Sequence, residues 1–178
     1  MKRILIVVDM QNDFITGSLG TAEAQSIVGA AAEKIRGFDG DIFVTLDTHF
    51  EDYLTTSEGK MLPVEHCIKG TEGWELSSEI QSALDGKNYE VVEKNTFGSV
   101  RLPEIIKERY DAKEIEIELI GLCTDICVVS NALILKAHFP ETPISVDVSC
   151  AAGVTKELHE AAAATMRSCQ INIKGGKE

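Results

Sequence analysis

Apolar positions along the chain change their period several times, and each change marks an element. Residues 4–8 (Ile-Leu-Ile-Val-Val) are an unbroken apolar run, the pattern of a strand buried on both faces of a parallel sheet. The run stops at Asp9. Residues 22–36 carry small and apolar residues at helical spacing, and Gly37 closes them. A second strand is predicted over 41–46 with Asp47 at its end, and a third over 89–92 with Lys94 just beyond it. Short helices are expected over 74–84 and 103–110, the latter opened by Pro103 in its first turn. Residues 114–120 alternate acidic and β-branched positions and end apolar, as a fourth strand entering a core does. A largely buried helix over 128–136, a strand over 144–148, an alanine-rich helix over 155–168 and a last strand over 171–173 complete the pattern. Residues 48–73 show no clear period, and an irregular stretch of that length inside a compact domain is uncommon and usually functional.

Strand and helix alternate throughout, so the predicted fold class is α/β. It is a three-layer α/β/α doubly wound sandwich around a mostly parallel sheet, with residues 1–178 as one domain. Such sheets bind ligands outside the carboxyl ends of their strands. Asp9, Asp47, Lys94 and the turn from Cys123 to Cys127 all fall at that edge. In that turn Gly121 breaks the strand, Thr124 or Asp125 is the expected N-cap, and Cys127 falls in the first turn of the helix. Unpaired N–H groups and the positive dipole end there would favour a thiolate. The alternative is that Cys127 is a small buried hydrophobe.

Composition narrows the class. The chain is 44% hydrophobic and 26% charged, as ordinary globular proteins are. No apolar run approaches the ~18 residues of a membrane span, and Asp9 interrupts the only apolar run near the N-terminus. A cytoplasmic location is expected. Five cysteines, at 67, 123, 127, 150 and 169, are an odd number without a framework and are expected to be reduced. A net charge of −12 argues against nucleic acid or an anionic membrane as partner, since both need a basic footprint.

Asp9, Lys94 and Cys127 supply a carboxylate, an ammonium and a thiol, the parts of a nucleophilic site. The bland alternative is an ion pair of Asp9 with Lys94 at the rim. Asp47, His49, Glu58 and His66 are a mixed oxygen and nitrogen set that suits zinc, iron(II) or manganese, or else a solvated loop. Cys67 follows His66 and is a weaker candidate ligand. Cys123 and Cys127, four apart, leave room for a redox pair, although they are not a C-x-x-C. His138 and His159 have no chemical company and are expected at the surface or as caps. No phosphate-binding glycine motif is present.

The stretches Val8-Asp9-Met10-Gln11-Asn12-Asp13-Phe14, Asp47-Thr48-His49, Leu62 to Thr71, Glu93-Lys94 and Gly121 to Val128 together resemble the isochorismatase-like cysteine hydrolases, and within them the nicotinamidases. The resemblance implies a six-stranded sheet and a catalytic triad of Asp9, Lys94 and Cys127. It implies that the thiolate attacks an amide carbonyl, ammonia leaves, and water hydrolyses the thioester, with Asp9 moving the proton. It maps an oxyanion hole to the backbone N–H groups of Cys123 and Cys127, with a cis peptide at Leu122–Cys123, and leaves the Cys123 side chain incidental. It maps one divalent transition metal, zinc before iron or manganese, to Asp47, His49, Glu58 and His66. The substrate pocket would include Phe14 as one aromatic wall, and Leu62 where nicotinamidases usually have an aromatic residue. One extra residue separates Pro63 from His66. The expected function is therefore metal-assisted hydrolysis of nicotinamide or a similar small amide, by a homo-oligomer. The runner-up is a ureido or carbamoyl amidohydrolase of the same family, and the rival of another class is a thiol redox protein using Cys123 and Cys127.

Overall fold

The computed structural model describes residues 1–176. Six strands form one sheet: β1 (Lys2–Val8), β2 (Asp41–Asp47), β3 (Tyr89–Lys94), β4 (Ile115–Leu122), β5 (Ile144–Ala152) and β6 (Asn172–Lys174). Their order is β3-β2-β1-β4-β5-β6, and every neighbouring pair is parallel. The chain starts in the middle, winds out to β3, then crosses to β4 on the other side of β1. That reversal between β1 and β4 is where a doubly wound sheet opens a crevice at its carboxyl edge.

Seven helices, α1 (Asn12–Ile15), α2 (Ala22–Gly37), α3 (Ser57–Met61), α4 (Ser78–Leu84), α5 (Arg101–Arg109), α6 (Val129–His138) and α7 (Lys156–Ser168), flank the sheet or carry its edge. β1 explains its own sequence. Leu5 and Val7 enter a core with α2 and α4, while Ile4, Ile6 and Val8 enter a second core with α5, α6 and α7. A strand covered on both faces needs apolar residues at every position, and full burial of each such side chain contributes about 1.5–3 kcal/mol. Thr21 and Thr155 cap α2 and α7 by accepting the N–H groups of Ala24 and Leu158.

Several expected boundaries move, each for a tertiary reason. β3 runs on to Lys94, because β2 still offers a partner there in the register Asp47↔Lys94. β4 continues through Gly121 to Leu122 and β5 through to Ala152, across an irregularity between Leu119 and Gly121. Gly121 is thus a strand residue rather than a turn. α4 begins only at Ser78: Gln11 forms an antiparallel bridge with Leu76, and the Trp74 ring N–H donates to Thr48 Oγ1 at 2.9 Å. α5 begins at Arg101, so Pro103 is its third residue, where a missing N–H still costs nothing. β6 starts one residue later than expected. The irregular segment holds a 3₁₀ turn (Tyr53–Thr55) and α3.

Gly121 has φ +114°, and a Cβ there would lie 2.2 Å from the Val8 carbonyl oxygen. Both the backbone conformation and the close approach of β1 require glycine. Gly121→Ala is expected to destabilise the protein by more than about 3 kcal/mol, through overpacking at a position that cannot relax. Chemical denaturation followed by circular dichroism checks it; a loss below ~1 kcal/mol would mean that β1 and β4 can separate locally.

Candidate active site and metal centre

β1 ends in a buried turn at Asp9, whose φ of +47° swings the chain toward α1. Its N–H donates to the Thr45 carbonyl at 3.2 Å, and the Thr45 hydroxyl donates to Asp9 Oδ1 at 2.6 Å. Lys94, the last residue of β3, extends its ammonium to Asp9 Oδ2 at 2.7 Å, Asp47 Oδ1 at 3.2 Å and Cys127 Sγ at 3.5 Å. The three groups singled out from sequence therefore converge, and Asp47 joins them. An ion pair of Asp9 with Lys94 does exist, but it is buried rather than at the rim, and the Cys127 sulfur shares its ammonium.

Burial pushes the Asp9 carboxyl above the usual range, against the pull of Lys94. Burial works against the Lys94 charge too, but Asp9, Cys127 and Asp47 outweigh it and hold the ammonium firmly protonated. The Cys127 thiol, 5% exposed, is pushed well up by burial and by the Asp9 charge. This corrects the expectation of a ready thiolate at a helix N-terminus. Cys127 lies in a π-helical turn, Thr124–Val128, that precedes α6, and its sulfur points inward. Burial raises the basicity of both groups, and a carboxyl of raised basicity beside a thiol is the combination general-base activation needs.

The same turn overturns two smaller expectations. Neither Thr124 nor Asp125 is an N-cap; that position falls on Cys123, whose side chain caps nothing. Instead Thr124 Oγ1 lies 2.8 Å from His159 Nδ1 on α7, and Asp125 Oδ1 accepts the Val154 N–H at 3.0 Å. His159 thus has a partner that the sequence did not suggest, whereas His138 is exposed. The Leu122–Cys123 peptide is cis. The Cys123 carbonyl accepts from Ile126 at 3.1 Å and Val128 at 3.0 Å, and the Asn131 amide donates to the Cys127 carbonyl at 2.8 Å. All five cysteines are free thiols.

Beside the thiol, Asp47, His49, Glu58 and His66 bring their ligand atoms within 4.8 Å of one another. His49 Nε2 is 3.0 Å from Asp47 Oδ2 and 3.7 Å from Glu58 Oε1; His66 Nε2 is 3.5 Å from each carboxylate. The His66 Nδ1–H donates to the Val64 carbonyl at 2.8 Å, which leaves Nε2 as the atom facing the carboxylates. A neutral imidazole lone pair aimed at two carboxylates is repelled unless positive charge sits between them. Without a cation the cluster meets that need by protonation: burial opposes the charge, but Asp47 and Glu58 hold His66 up to about 10. A divalent metal meets it better, and two imidazoles with two carboxylates are a borderline-hard set of that kind. The residues fit a divalent metal. The Cys67 sulfur stays outside the group.

Local structure explains how an irregular segment gathers these ligands. Thr56 caps α3 through the Gly59 N–H, and a Cβ at Gly59 would lie 2.1 Å from the Tyr53 carbonyl, so glycine lets α3 close on the 3₁₀ turn and present Glu58. The His49 N–H donates to Cys67 O and the Lys69 N–H to His49 O, both at 2.9 Å, which lays His66 beside His49. The Tyr53 ring packs against both imidazoles, with centroids 4.7 and 5.0 Å away. Gln11 clamps Asp47: Nε2 donates to its carbonyl and Oε1 accepts its N–H, each at 2.8 Å. Asp13 Oδ2 accepts the Cys67 N–H at 2.8 Å. The sequence reading leaves Gln11, Asp13, Thr45 and Tyr53 without roles. Thr45 alone carried a usable signal, as a polar residue in an apolar strand on the same face as Asp47. Of the two pocket residues, Phe14 is buried with its ring 5.6 Å from His66, and Leu62 lies on an open cleft over His49 and Glu58.

Residues 3–174 match the isochorismatase domain. The chain belongs to the isochorismatase family. Within the family it superposes on the nicotinamidase of Bacillus subtilis with a TM-score of 0.85 at 26% identity, covering 98% of this chain and 99% of that one. The pyrazinamidase of Pyrococcus horikoshii, solved in complex with zinc, gives a TM-score of 0.81 at 25% identity, covering 97% and 98%. The N-carbamoylsarcosine amidase of Thermoplasma acidophilum gives 0.75 at 28%, covering 100% and 98%. The isochorismatase match spans β1 to β6, and so takes in all the side chains gathered at the carboxyl edge. Among the described residues, no helix is long and apolar enough to cross a membrane.

Proposed function

We propose that this isochorismatase-family chain is a metal-assisted cysteine amidohydrolase that converts nicotinamide or a similar small amide to the acid and ammonia. The observation that carries the reading is the Lys94 ammonium, which meets Asp9, Asp47 and Cys127 at 2.7, 3.2 and 3.5 Å and so joins the nucleophile to the metal cluster. The likeness to a nicotinamidase and a pyrazinamidase supports the substrate, and the zinc complex supports zinc over iron or manganese.

Asp9 takes the proton of the Cys127 thiol, and the sulfur forms a bond to the amide carbonyl carbon. The backbone N–H groups of Cys123 and Cys127 receive the oxyanion. Lys94 keeps its charge throughout, stabilising first the thiolate and then the Asp9 carboxylate. The C–N bond breaks as Asp9 returns the proton to the leaving ammonia, leaving a thioester. Asp9 then deprotonates water, which attacks the thioester, and the acid leaves with the thiol restored. A metal held by Asp47, His49, Glu58 and His66 would supply a Lewis acid for a substrate heteroatom. The reading takes residues 1–178 as one domain of a cytoplasmic homo-oligomer whose substrate is a small molecule rather than nucleic acid or membrane.

Metal content by mass spectrometry, paired with nicotinamide deamidation before and after chelation, tests the reading. The expected result is about one equivalent of metal per chain, with activity lost on chelation and restored by zinc. A metal-free protein inert on nicotinamide would sink the nicotinamidase reading. The carbamoyl alternative, favoured by the likeness to N-carbamoylsarcosine amidase, would then take its place.

A further inference from the structure

We infer that the substrate is a neutral amide whose acyl group carries an apolar extension larger than a single ring, lying in the cleft above His49 and Glu58. The inference rests on the amidohydrolase reading and goes on to name the substrate class. The cleft measures about 830 Å³, with His49 and Glu58 among its lining residues and Ile126, the neighbour of the nucleophile, on its wall. Pockets of ~300–1,000 Å³ hold drug-sized ligands, so one pyridine ring would leave most of this space open.

Its surface is apolar in a way the rest of the molecule is not. Phe50 is 55% exposed, Met61 86%, Leu62 38% and Phe97 47%. Ten large hydrophobic residues are this exposed among the described residues, and four of them line this one cleft. Singly scattered apolar residues need no explanation, but a cluster around the mouth of a reactive site does. Phe50 and Phe97 supply flat faces, and the unbranched Met61 adapts to an irregular group.

Charge sets the second half of the class. With a divalent metal held, Asp47 and Glu58 balance its charge, and Asp52 remains as the net charge of a cleft lining that holds no lysine or arginine. Lys94 lies below, engaged by Asp9 and Asp47. A substrate carboxylate, such as an N-carbamoyl amino acid carries, would meet like charge and lose its hydration without a partner. A neutral apolar group would bury the exposed rings instead.

The test is ammonia release by the zinc-loaded protein from nicotinamide, 5-phenylnicotinamide and N-carbamoylglycine. The expected kcat/KM is at least ~10-fold higher for 5-phenylnicotinamide than for nicotinamide, mostly through KM, and lowest for N-carbamoylglycine. Phe97→Ala and Phe50→Ala should each remove most of that advantage while affecting nicotinamide far less; Leu158→Ala, an exposed residue on α7, should leave the ratio intact. Equal or better turnover of nicotinamide or N-carbamoylglycine would overturn the inference and leave an amidohydrolase standing. So would a Phe97→Ala change in the mass of the assembly with no change in the substrate ratio, which would mean that a second copy covers the cleft. No ammonia from any amide would remove the amidohydrolase reading, and this inference with it.

Discussion

Replacing Cys127 with alanine is expected to lower amide turnover by at least ~10³-fold while the protein keeps its fold. In the proposed reaction the sulfur is the atom that bonds to the substrate carbonyl, and no neighbour can replace it: the Thr124 hydroxyl is turned toward His159, and Cys123 lies at the other end of the turn. Stability should change little. The side chain removed is small, and Lys94 keeps both of its carboxylate partners, so the cost is about 1 kcal/mol, or ~2–4 °C in Tm. Cys123→Ala is the companion experiment. Burial pushes the Cys123 thiol up to about 12, which makes it a poor source of thiolate at neutral pH. Its replacement should cost less than about 3-fold, within the range of a mild packing change. A thiol redox protein would lose activity equally in both variants. Steady-state rates and thermal melts of the two variants, run together, decide between them.

Asp47→Asn is expected to have the other large effect, because this one side chain belongs to both halves of the site. Oδ1 faces the Lys94 ammonium and Oδ2 faces His49. Burial alone would raise its carboxyl, yet His49, His66 and Lys94 together hold it well below the usual carboxylate range. An acid depressed in the folded state stabilises the fold above its unfolded pKa, so at neutral pH the whole of that contribution is present, and the amide removes it. Asparagine keeps the shape and can still meet Gln11 through its backbone, so the loss reports charge. Leaving a buried ammonium and two imidazoles short of a counter-charge costs about 3–5 kcal/mol, which at this size is ~6–20 °C in Tm. Metal affinity should fall by at least ~10–100-fold, since a ligand and its charge are lost together. Glu58→Gln should be milder in stability, because Glu58 is partly exposed and does not touch Lys94. Melting curves with and without chelator, with metal content by mass spectrometry, measure both effects. An Asp47→Asn protein that holds stoichiometric zinc at wild-type Tm would sink the shared role.

Much of this site was legible in the chain because the chemistry sits where strands end. Asp9, Asp47 and Lys94 each interrupt or close an apolar run, and a polar residue at that place in a parallel sheet faces the crevice. The four candidate ligands stood out as a mixed donor set, Asp47 at a strand end and the other three within a segment that lacked periodicity. What stayed hidden was the machinery that aims them. The Gln11 clamp on Asp47, the Tyr53 ring against both imidazoles and the Asp13 bond to Cys67 span separations along the chain that no local period encodes. The expected thiolate failed for a related reason. A helix N-terminus can be read from capping residues, but the burial that raises the Cys127 thiol depends on what packs over it.

The sequence by itself determined the α/β alternation and the doubly wound class, and it picked out the side chains that gather at the carboxyl edge. Each follows from a local period or from a residue type with few other uses. Tertiary structure alone decided the lengths of β3, β4 and β5, the glycine requirement at Gly121, the junction of the two half-sites through Asp47 and the open apolar cleft beside them. These depend on which backbone passes alongside, on the dielectric around a charge and on the space left between distant loops. Such quantities exist only once the chain has closed on itself.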